Sequence, residues 1–270
     1  MEDEEGIILY PYVKSKKKLL KTFVFDFDET LGSFGHLFYL WSSLEDTPIL
    51  LKDLMNIYPE FLRYGILVIL EFLYFKKLQG KCHKIFVYTN NRCSIKWVNM
   101  IIEYITQKIP IIKEDVPLFD KIIYAFKINN KIVELNRTTY KKTYTDLINC
   151  TVIPKNTEIC FIDDNYHAEM IHKKIYYIQP RAYYHGLTRD EILCRLFEHF
   201  DLNKEKNEIT SQFLKETQEV YKTERENQID ISVSRKMMYY IKEFFYVVDS
   251  SNKTKKNNMK WGKFTRRRLK

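Results

Sequence analysis

Short apolar runs that stop abruptly at polar residues recur along the chain. Four of them lie at residues 23–25, 85–88, 122–126 and 159–162. Each run is too short for a helix, and continuous apolar runs of this length are typical of strands buried on both faces of a parallel sheet. A last short strand is predicted near Ile178. The pattern therefore predicts a sheet of mainly parallel strands.

Between these runs the apolar residues recur at helical spacing. Such segments lie at residues 50–55, 65–78 and 95–105, and another runs from about Thr143 to Cys150. Gly and Ser residues stand where the second of these segments ends and the third begins, as is common for those residue types. Alternating strands and helices predict an α/β fold with a doubly wound parallel sheet.

Beyond residue 180 the pattern is mainly helical, with candidate helices at residues 191–200, 213–225 and 233–248. The chain has 270 residues, of which 45% are hydrophobic, so it can bury one large core. One main domain is therefore expected, and residues 7–13 are predicted to pack as an edge element. The predicted divisions are a lead-in at 1–18, the main domain at 19–200, a helical extension at 201–252 and a basic tail, expected to be disordered, at 253–270.

The formal net charge of +9 is concentrated at the C-terminal end. Residues 253–270 hold six Lys and three Arg and no acidic residue, which leaves the remainder formally neutral. A polyanionic partner such as nucleic acid is therefore an expectation for the tail and not for the body. Trp261 and Phe264 could stack on bases, whereas residues 266–268 resemble a nuclear import signal. A tail that only adds solubility remains an equal alternative.

Cysteine usage and hydropathy predict an intracellular protein, nuclear or cytoplasmic. The five cysteines show no CxxC spacing and are expected to be reduced core thiols. The acidic N-terminus differs from a secretory signal, and the most apolar segment, residues 65–75, is too short to span a bilayer. The Ile-, Lys-, Asn- and Tyr-rich composition suggests, as a hypothesis, an AT-rich genome such as that of a protist or a large DNA virus.

The predicted strands end in residues whose side chains could form a binding or catalytic site. Asp26 and Asp28 follow the first strand, Thr89 and Asn90 follow the second, and a pair of aspartates follows the fourth. In an open α/β sheet, ligands bind in the crevice outside the carboxyl ends of the strands. These side chains are therefore expected to meet in one site.

Four features in this order resemble the motifs of the haloacid dehalogenase (HAD) superfamily. The first is DxDxT at residues 26–30, the second is Thr-Asn at 89–90, the third is Lys142 and the fourth is Asp163-Asp164. Within the superfamily the chain is most similar to the FCP/SCP-type phosphatases, which act on the C-terminal repeats of RNA polymerase II. The resemblance covers about residues 18–184. It implies a HAD-like Rossmannoid fold with a minimal cap.

The resemblance also implies a mechanism for phosphate removal. Asp26 would attack phosphorus to form an aspartyl-phosphate, and Asp28 would serve as the acid and base. Thr30, Thr89 and Asn90 would hold the phosphoryl oxygens. Lys142 would bind the same oxygens and balance the charge of the nucleophile.

A magnesium site is implied as well. Asp26, Asp28, Asp163 and Asp164 would supply the oxygen-rich environment that Mg²⁺ prefers. Without such a cation the converging carboxylates would repel the phosphate.

Purely structural roles are alternatives to several of these assignments. The aspartate pairs could cap helices or turns, and Thr89 could cap the following helix. Lys141 is adjacent to Lys142, so the choice between them stays open. His167 and His172 follow the last aspartate pair with a spacing that suits no two-His metal motif, which favours a surface or packing role.

Loop lengths favour a macromolecular substrate. HAD enzymes for small metabolites usually cover the site with an inserted cap domain that excludes water. The 57 residues between Leu31 and Thr89 must also contain a long helix, so they leave little room for a large cap. An open site favours a macromolecular substrate, either a phosphoprotein loop or a nucleic-acid end. Together with the four motifs, it makes a phosphoprotein bearing phosphoserine or phosphothreonine the leading expectation. The alternatives are a polynucleotide end phosphatase or nucleotidase, and a non-catalytic nucleic-acid-binding module.

Overall fold

Residues 6–12 and 19–246 are described by the computed structural model of the chain. The basic tail predicted at residues 253–270 lies outside these ranges, as do parts of the predicted lead-in and extension. The boundaries of the predicted divisions therefore stay a prediction.

The apolar runs form a six-stranded, mostly parallel sheet in a mixed α/β fold. Its strand order is β1-β8-β7-β2-β3-β4, and only β1 runs antiparallel to its neighbour. A separate two-stranded hairpin, β5-β6, turns at Asn129 and Asn130, which both have positive φ. This architecture is compatible with a Rossmann-like fold. The strands are β1 (Ile7–Leu9), β2 (Leu20–Phe25), β3 (Lys84–Tyr88), β4 (Lys121–Ile123), β5 (Lys127–Ile128), β6 (Lys131–Ile132), β7 (Thr157–Ile162) and β8 (Ile175–Pro180).

The central strands are buried because helices cover both faces of the sheet. Alternate residues of β2 show this: Phe23 and Phe25 pack in one apolar cluster, whereas Val24 packs in another on the opposite face. All six residues of β7 are buried. Of the described helices, the one at Tyr144–Thr151 lies in the smaller cluster, and the other seven contribute to the larger one. The predicted doubly wound sheet is thus present with unequal helical layers.

Helices occupy most of the segments predicted from periodicity. Ser94 and Thr143 cap α4 and α5 by accepting hydrogen bonds from main-chain N–H groups in the first turn. The segment between β2 and β3 forms α1, α2 and α3, which pack into the main core. The helices are α1 (Gly35–Ser42), α2 (Leu51–Ile57), α3 (Ile66–Leu78), α4 (Ile95–Gln107), α5 (Tyr144–Thr151), α6 (Arg189–His199), α7 (Lys206–Glu216) and α8 (Glu224–Tyr246).

The predicted helix at residues 213–225 is wrong. Helix α7 ends at Glu216, Thr217 is extended, and α8 begins at Glu224. Arg189 holds the intervening segment by donating to the carbonyl of Thr217 and to the carboxylate of Glu219. Tertiary hydrogen bonds therefore override the helical periodicity here.

Both C-terminal helices belong to the same hydrophobic core as the sheet. Ile209 and Phe213 of α7 are buried in it, and Phe244 of α8 packs edge-on against Phe23 of β2. Within the described residues, no helix combines the length and apolarity needed to cross a membrane.

The five cysteines are all free thiols, but they are not all in the core. Cys82, Cys150 and Cys160 are buried, whereas Cys93 and Cys194 are exposed. The expectation of core thiols therefore holds for three positions. Cys93 lies in the loop after β3 and Cys194 on the outer face of α6.

The strand order also locates a crevice. After β2, the next strands along the chain, β3 and β4, lie on one side of β2. The later strands β7 and β8 lie on its other side. The order reverses between β2 and β7, and such a switch point opens a crevice at the carboxyl ends of the strands. Asp26 and Asp163 immediately follow these two strands.

Candidate functional site

A buried lysine connects the two strands that flank the switch point. Lys142 lies just before α5, and its Nζ donates to Oδ1 of Asp26 and, at 2.6 Å, to Oδ2 of Asp163. All three side chains are at most 8% exposed. A buried charge requires such partners, so this cluster fixes the positions of all three side chains.

Lys142, and not Lys141, enters the site. The Lys141 side chain is 71% exposed and forms an ion pair with Glu169 at 2.7 Å. The Lys142 side chain is only 2% exposed and bonds Asp26 and Asp163, so the two neighbouring lysines lie in different environments. The question that the sequence left open is thereby answered.

The charges within the cluster are strongly coupled. Burial raises the pKa of Asp26 well above its ordinary value, against the opposing field of Lys142. Burial acts in the same direction on Asp163, but Lys142 and His167 outweigh it and lower the pKa of that carboxyl. Burial disfavours the charged ammonium of Lys142, yet the two carboxylates outweigh it and raise the pKa. Lys142 is therefore protonated.

Asp28 lies at the mouth of the site. It is half-buried, and its Oδ2 accepts a hydrogen bond from Nδ2 of Asn91 at 2.9 Å. The Asn91 side chain is itself fixed, because its Oδ1 accepts from the main-chain N–H of Cys93 at 3.0 Å. Burial raises the pKa of Asp28, and the bond from Asn91 opposes this shift.

Asp164 is held by Thr30 across the switch point. The Thr30 hydroxyl donates to Oδ1 of Asp164 at 2.9 Å and accepts from the Asp164 main-chain N–H at 3.0 Å. Thr30 is fully buried, so its hydroxyl orients a carboxylate and does not face the crevice as a free group. Burial, followed by the charge of Asp163, raises the pKa of Asp164.

Three of the predicted metal ligands fit a divalent cation. Asp26, Asp163 and Asp164 each offer a carboxylate oxygen, and these oxygens lie within 4.8 Å of one another. In an ideal octahedron with bonds of about 2.1 Å, ligand oxygens are about 3.0–4.2 Å apart, so small side-chain shifts would suffice. Asp28, the fourth predicted ligand, is not part of this group and instead bonds Asn91. Four carboxylates facing one lysine also favour a further cation.

Thr89 and Asn90 begin the loop after β3, which is the parallel neighbour of β2, so they lie at the same edge of the sheet as Asp26. Thr89 is fully buried, and its hydroxyl accepts from the main-chain N–H of Asn91 at 2.9 Å. The Oδ1 of Asn90 accepts from Nη2 of Arg137 at 2.7 Å. Arg137 lies in the loop after β6 and is only 2% exposed. No local pattern around residue 137 marks this arginine as part of a site.

A second buried arginine supports the turn after β2. Arg63 donates from Nε to the carbonyl of Thr30 at 2.7 Å, from Nη2 to the carbonyl of Arg181 at 2.8 Å, and to the carbonyl of Glu29. Glu29 has a φ of 54°, an unusual conformation for a residue other than glycine. These bonds stabilise the turn that carries Asp28 and Thr30.

The two histidines after β7 have different surroundings. The Nε2 of His167 lies 3.2 Å from Oδ2 of Asp163, so this side chain belongs to the site. His172 stacks on the ring of Tyr144 with centroids 3.8 Å apart, as a packing histidine would. The packing interpretation therefore suits His172 and is wrong for His167.

Comparison with known proteins gives no match for this chain. No protein-family model matches it, and neither a curated protein nor a solved structure shows significant similarity. The chemical possibilities rest on the carboxylates, lysine and amides gathered where β2, β3 and β7 end.

Proposed function

We propose that this protein is a divalent-metal-dependent phosphatase of the HAD type that works through an aspartyl-phosphate. The observation that supports this proposal most directly is the position of Lys142, which bonds both Asp26 and Asp163 at the switch point. A lysine shared by two aspartates suits a site that must bind a dianionic phosphate next to a carboxylate nucleophile. The similarity of the motifs to those of FCP/SCP-type phosphatases adds to this proposal.

Asp26 serves as the nucleophile. One of its oxygens attacks phosphorus, the bond to the leaving oxygen breaks, and an acyl phosphate forms on the Asp26 carboxyl. Burial raises the pKa of Asp26, but Lys142 opposes this shift in favour of the ionised nucleophile, and its ammonium offsets negative charge on the phosphoryl oxygens. Asp163 holds the ammonium in place from the other side.

Asp28 serves as the acid and then as the base. It stands two residues after the nucleophile at the open side of the site, where Asn91 orients its carboxyl group. In the first step it protonates the leaving oxygen of the substrate. In the second step it accepts a proton from the water that hydrolyses the acyl phosphate, so one residue completes the cycle.

Asp26, Asp163 and Asp164 would hold the cation, with Thr30 fixing the last of these. When bound, Mg²⁺ neutralises phosphoryl charge and orients the transferring group. Thr89, Asn90 and Lys142 then contact the phosphoryl oxygens.

A phosphoserine or phosphothreonine in a protein is the substrate that suits this site. The segment between β2 and β3 packs into the main core, so α1–α3 do not form a separate cap domain above the crevice. Asp28 and Asp164 also keep part of their surface exposed. A macromolecule can therefore supply the covering that excludes water during the transfer.

The first experiment compares the wild-type chain with Asp26→Asn on an aryl phosphate in the presence of Mg²⁺. The amide cannot attack phosphorus, so hydrolysis should be abolished while circular dichroism stays unchanged. Asp190→Asn, an exposed aspartate of α6, serves as the matched control and should retain full activity. Undiminished hydrolysis by Asp26→Asn would rule out the aspartyl-phosphate mechanism.

A second experiment separates the substrate classes. Turnover is compared on a phosphoserine peptide and on an oligonucleotide with a 3′-phosphate. The proposed function predicts faster turnover of the peptide. Preference for the oligonucleotide would identify a polynucleotide end phosphatase, and oligonucleotide binding without any turnover would identify a binding module.

A further inference from the structure

Arg137 connects the three loops that surround the candidate phosphate site. It is only 2% exposed, and its two terminal nitrogens both donate hydrogen bonds. The bonds reach the loop after β3, the loop after β4 and the segment before α5. Their acceptors are the carbonyl oxygens of Thr89 (3.0 Å), Tyr124 (2.8 Å), Tyr140 (3.3 Å) and Lys141 (3.1 Å), and Oδ1 of Asn90 (2.7 Å).

No carboxylate accepts a hydrogen bond from Arg137 among the described residues. Burial consequently lowers the pKa of this guanidinium. A buried cation that faces carbonyls is costly, and an apolar side chain of similar volume is often at least as stabilising in such a position. Stability alone therefore does not account for an arginine here. Its guanidinium also lies 4.8 Å from the ring centroid of Tyr88, and Nζ of Lys142 approaches the same ring at 5.9 Å.

The bonds of Arg137 fix the direction of two peptide groups. A trans peptide is planar, and its C=O and N–H point in opposite directions. No cis peptide occurs among the described residues. Because Arg137 binds the carbonyls of Thr89 and Lys141, the N–H groups of Asn90 and Lys142 point away from it. Neither N–H donates to an acceptor within residues 6–12 and 19–246.

We propose that Arg137 is a positioning residue that keeps the N–H groups of Asn90 and Lys142 directed toward the phosphoryl oxygens of the substrate. This inference rests on the proposed phosphatase function. It assigns the two amides a shared orientation that is set before substrate binds. Preorganised donors of this kind act mainly on the transition state, because they require no rearrangement as negative charge develops.

The test compares Arg137→Met and Arg137→Lys with Arg189→Met. Arg189 is a matched control, since it also bonds main-chain carbonyls, those of Leu214 and Thr217, at a junction that contains no site residue. Melting temperature, kcat and KM for an aryl phosphate, and Kd for orthovanadate with Mg²⁺ are measured for each variant. Orthovanadate imitates the transition state and reports on the amides without requiring turnover.

Loss of one preorganised donor costs about 100–1,000-fold in kcat. Arg137→Met should therefore lower kcat by at least about 100-fold, weaken orthovanadate binding in parallel and leave KM nearly unchanged. Arg137→Lys, which can reach only some of the acceptors, should recover part of both losses. Arg189→Met should lower the melting temperature without changing kcat or orthovanadate binding.

Several outcomes would overturn the inference. If Arg137→Met retains wild-type kcat, the arginine is merely structural even if the variant melts earlier. If that variant does not fold, Arg137→Lys decides, and an unchanged kcat contradicts the inference. If the wild-type chain hydrolyses aryl phosphate and Arg137→Met does so equally well, only the positioning role is refuted. A wild-type chain that neither hydrolyses it nor binds orthovanadate refutes the phosphatase proposal and this role together.

Discussion

Nζ of Lys142 donates to Oδ2 of Asp163 at 2.6 Å inside the protein, and the same ammonium also bonds Asp26. Lys142 precedes α5, whereas Asp163 follows β7 and Asp26 follows β2, so one side chain connects three elements across the switch point. Electrostatic balance and geometry are consequently linked in this site. Any change to the lysine should affect both stability and chemistry.

Lys142→Met is expected to destabilise the fold and to abolish most activity. Removing one partner of a buried ion pair costs about 3–5 kcal/mol, because the remaining charges stay buried. Loss of the charge that faces the phosphate should lower kcat by at least about 100-fold. Urea unfolding and aryl phosphate kinetics measure the two effects. Lys141→Met is the control, and equal losses in both variants would contradict the assignment to Lys142.

Asn91→Ala is expected to affect substrates with poor leaving groups most strongly. Asn91 orients the Asp28 carboxyl group, which protonates the leaving oxygen in the proposed mechanism. An alkyl leaving group such as serine needs that proton, whereas an activated aryl leaving group needs it less. Turnover of a phosphoserine peptide should fall about 10-fold more than that of p-nitrophenyl phosphate. The same loss on both substrates would show that Asn91 does not act through Asp28.

The strands and most of the site could be predicted because their signals are local. A continuous apolar run followed by Asp26 and Asp28 marks both a buried strand and its carboxyl end. The same holds for Thr89 after β3 and Asp163 after β7. Once the strands are parallel, their polar ends must lie at one edge of the sheet.

Residues that act through loops could not be predicted in this way. Arg137 stands in a polar stretch after β6, and its role depends on three loops that meet only in the folded chain. The break between α7 and α8 carries a local signal in addition to the tertiary bonds of Arg189. Thr223 and Glu226 form a reciprocal N-terminal cap, a local signal that marks the start of α8.

Thr30→Val is expected to weaken metal binding. The hydroxyl of Thr30 both donates to and accepts from Asp164, and partners that orient a metal ligand typically contribute about 10–100-fold in affinity. The Kd for Mg²⁺, measured by calorimetry, should rise by about this factor. Thr22→Val is a matched control, because Thr22 is a buried threonine of β2 whose hydroxyl has no hydrogen-bond partner among the described residues. Equal metal affinity in both variants would contradict the role of Thr30.

Buried His185 and half-buried His36 form a pair that lies outside the candidate site and is sensitive to protons. The main-chain N–H of Leu187 donates to Nδ1 of His185, so the His185 proton sits on Nε2 and is donated to Nδ1 of His36 at 3.0 Å. Burial, followed by the neighbouring His36 and Lys222, lowers the pKa of His185 to about 3. Burial lowers the pKa of His36 as well, although Glu219 opposes this shift. Nδ1 is the accepting nitrogen in both histidines, and its protonation in either one would break one of these hydrogen bonds.

Folding stability should therefore decrease as the pH falls below the unfolded-state pKa of about 6.5. In that range the unfolded chain binds a proton at His185 that the folded chain does not, which costs about 2 kcal/mol by pH 5. The free energy of unfolding in urea, measured at pH 7 and pH 5, should show this loss in the wild-type chain. His185→Gln should remove most of the difference, whereas His199→Gln, at an exposed position of α6, should leave it unchanged. A pH dependence that persists undiminished in His185→Gln would assign it to other groups.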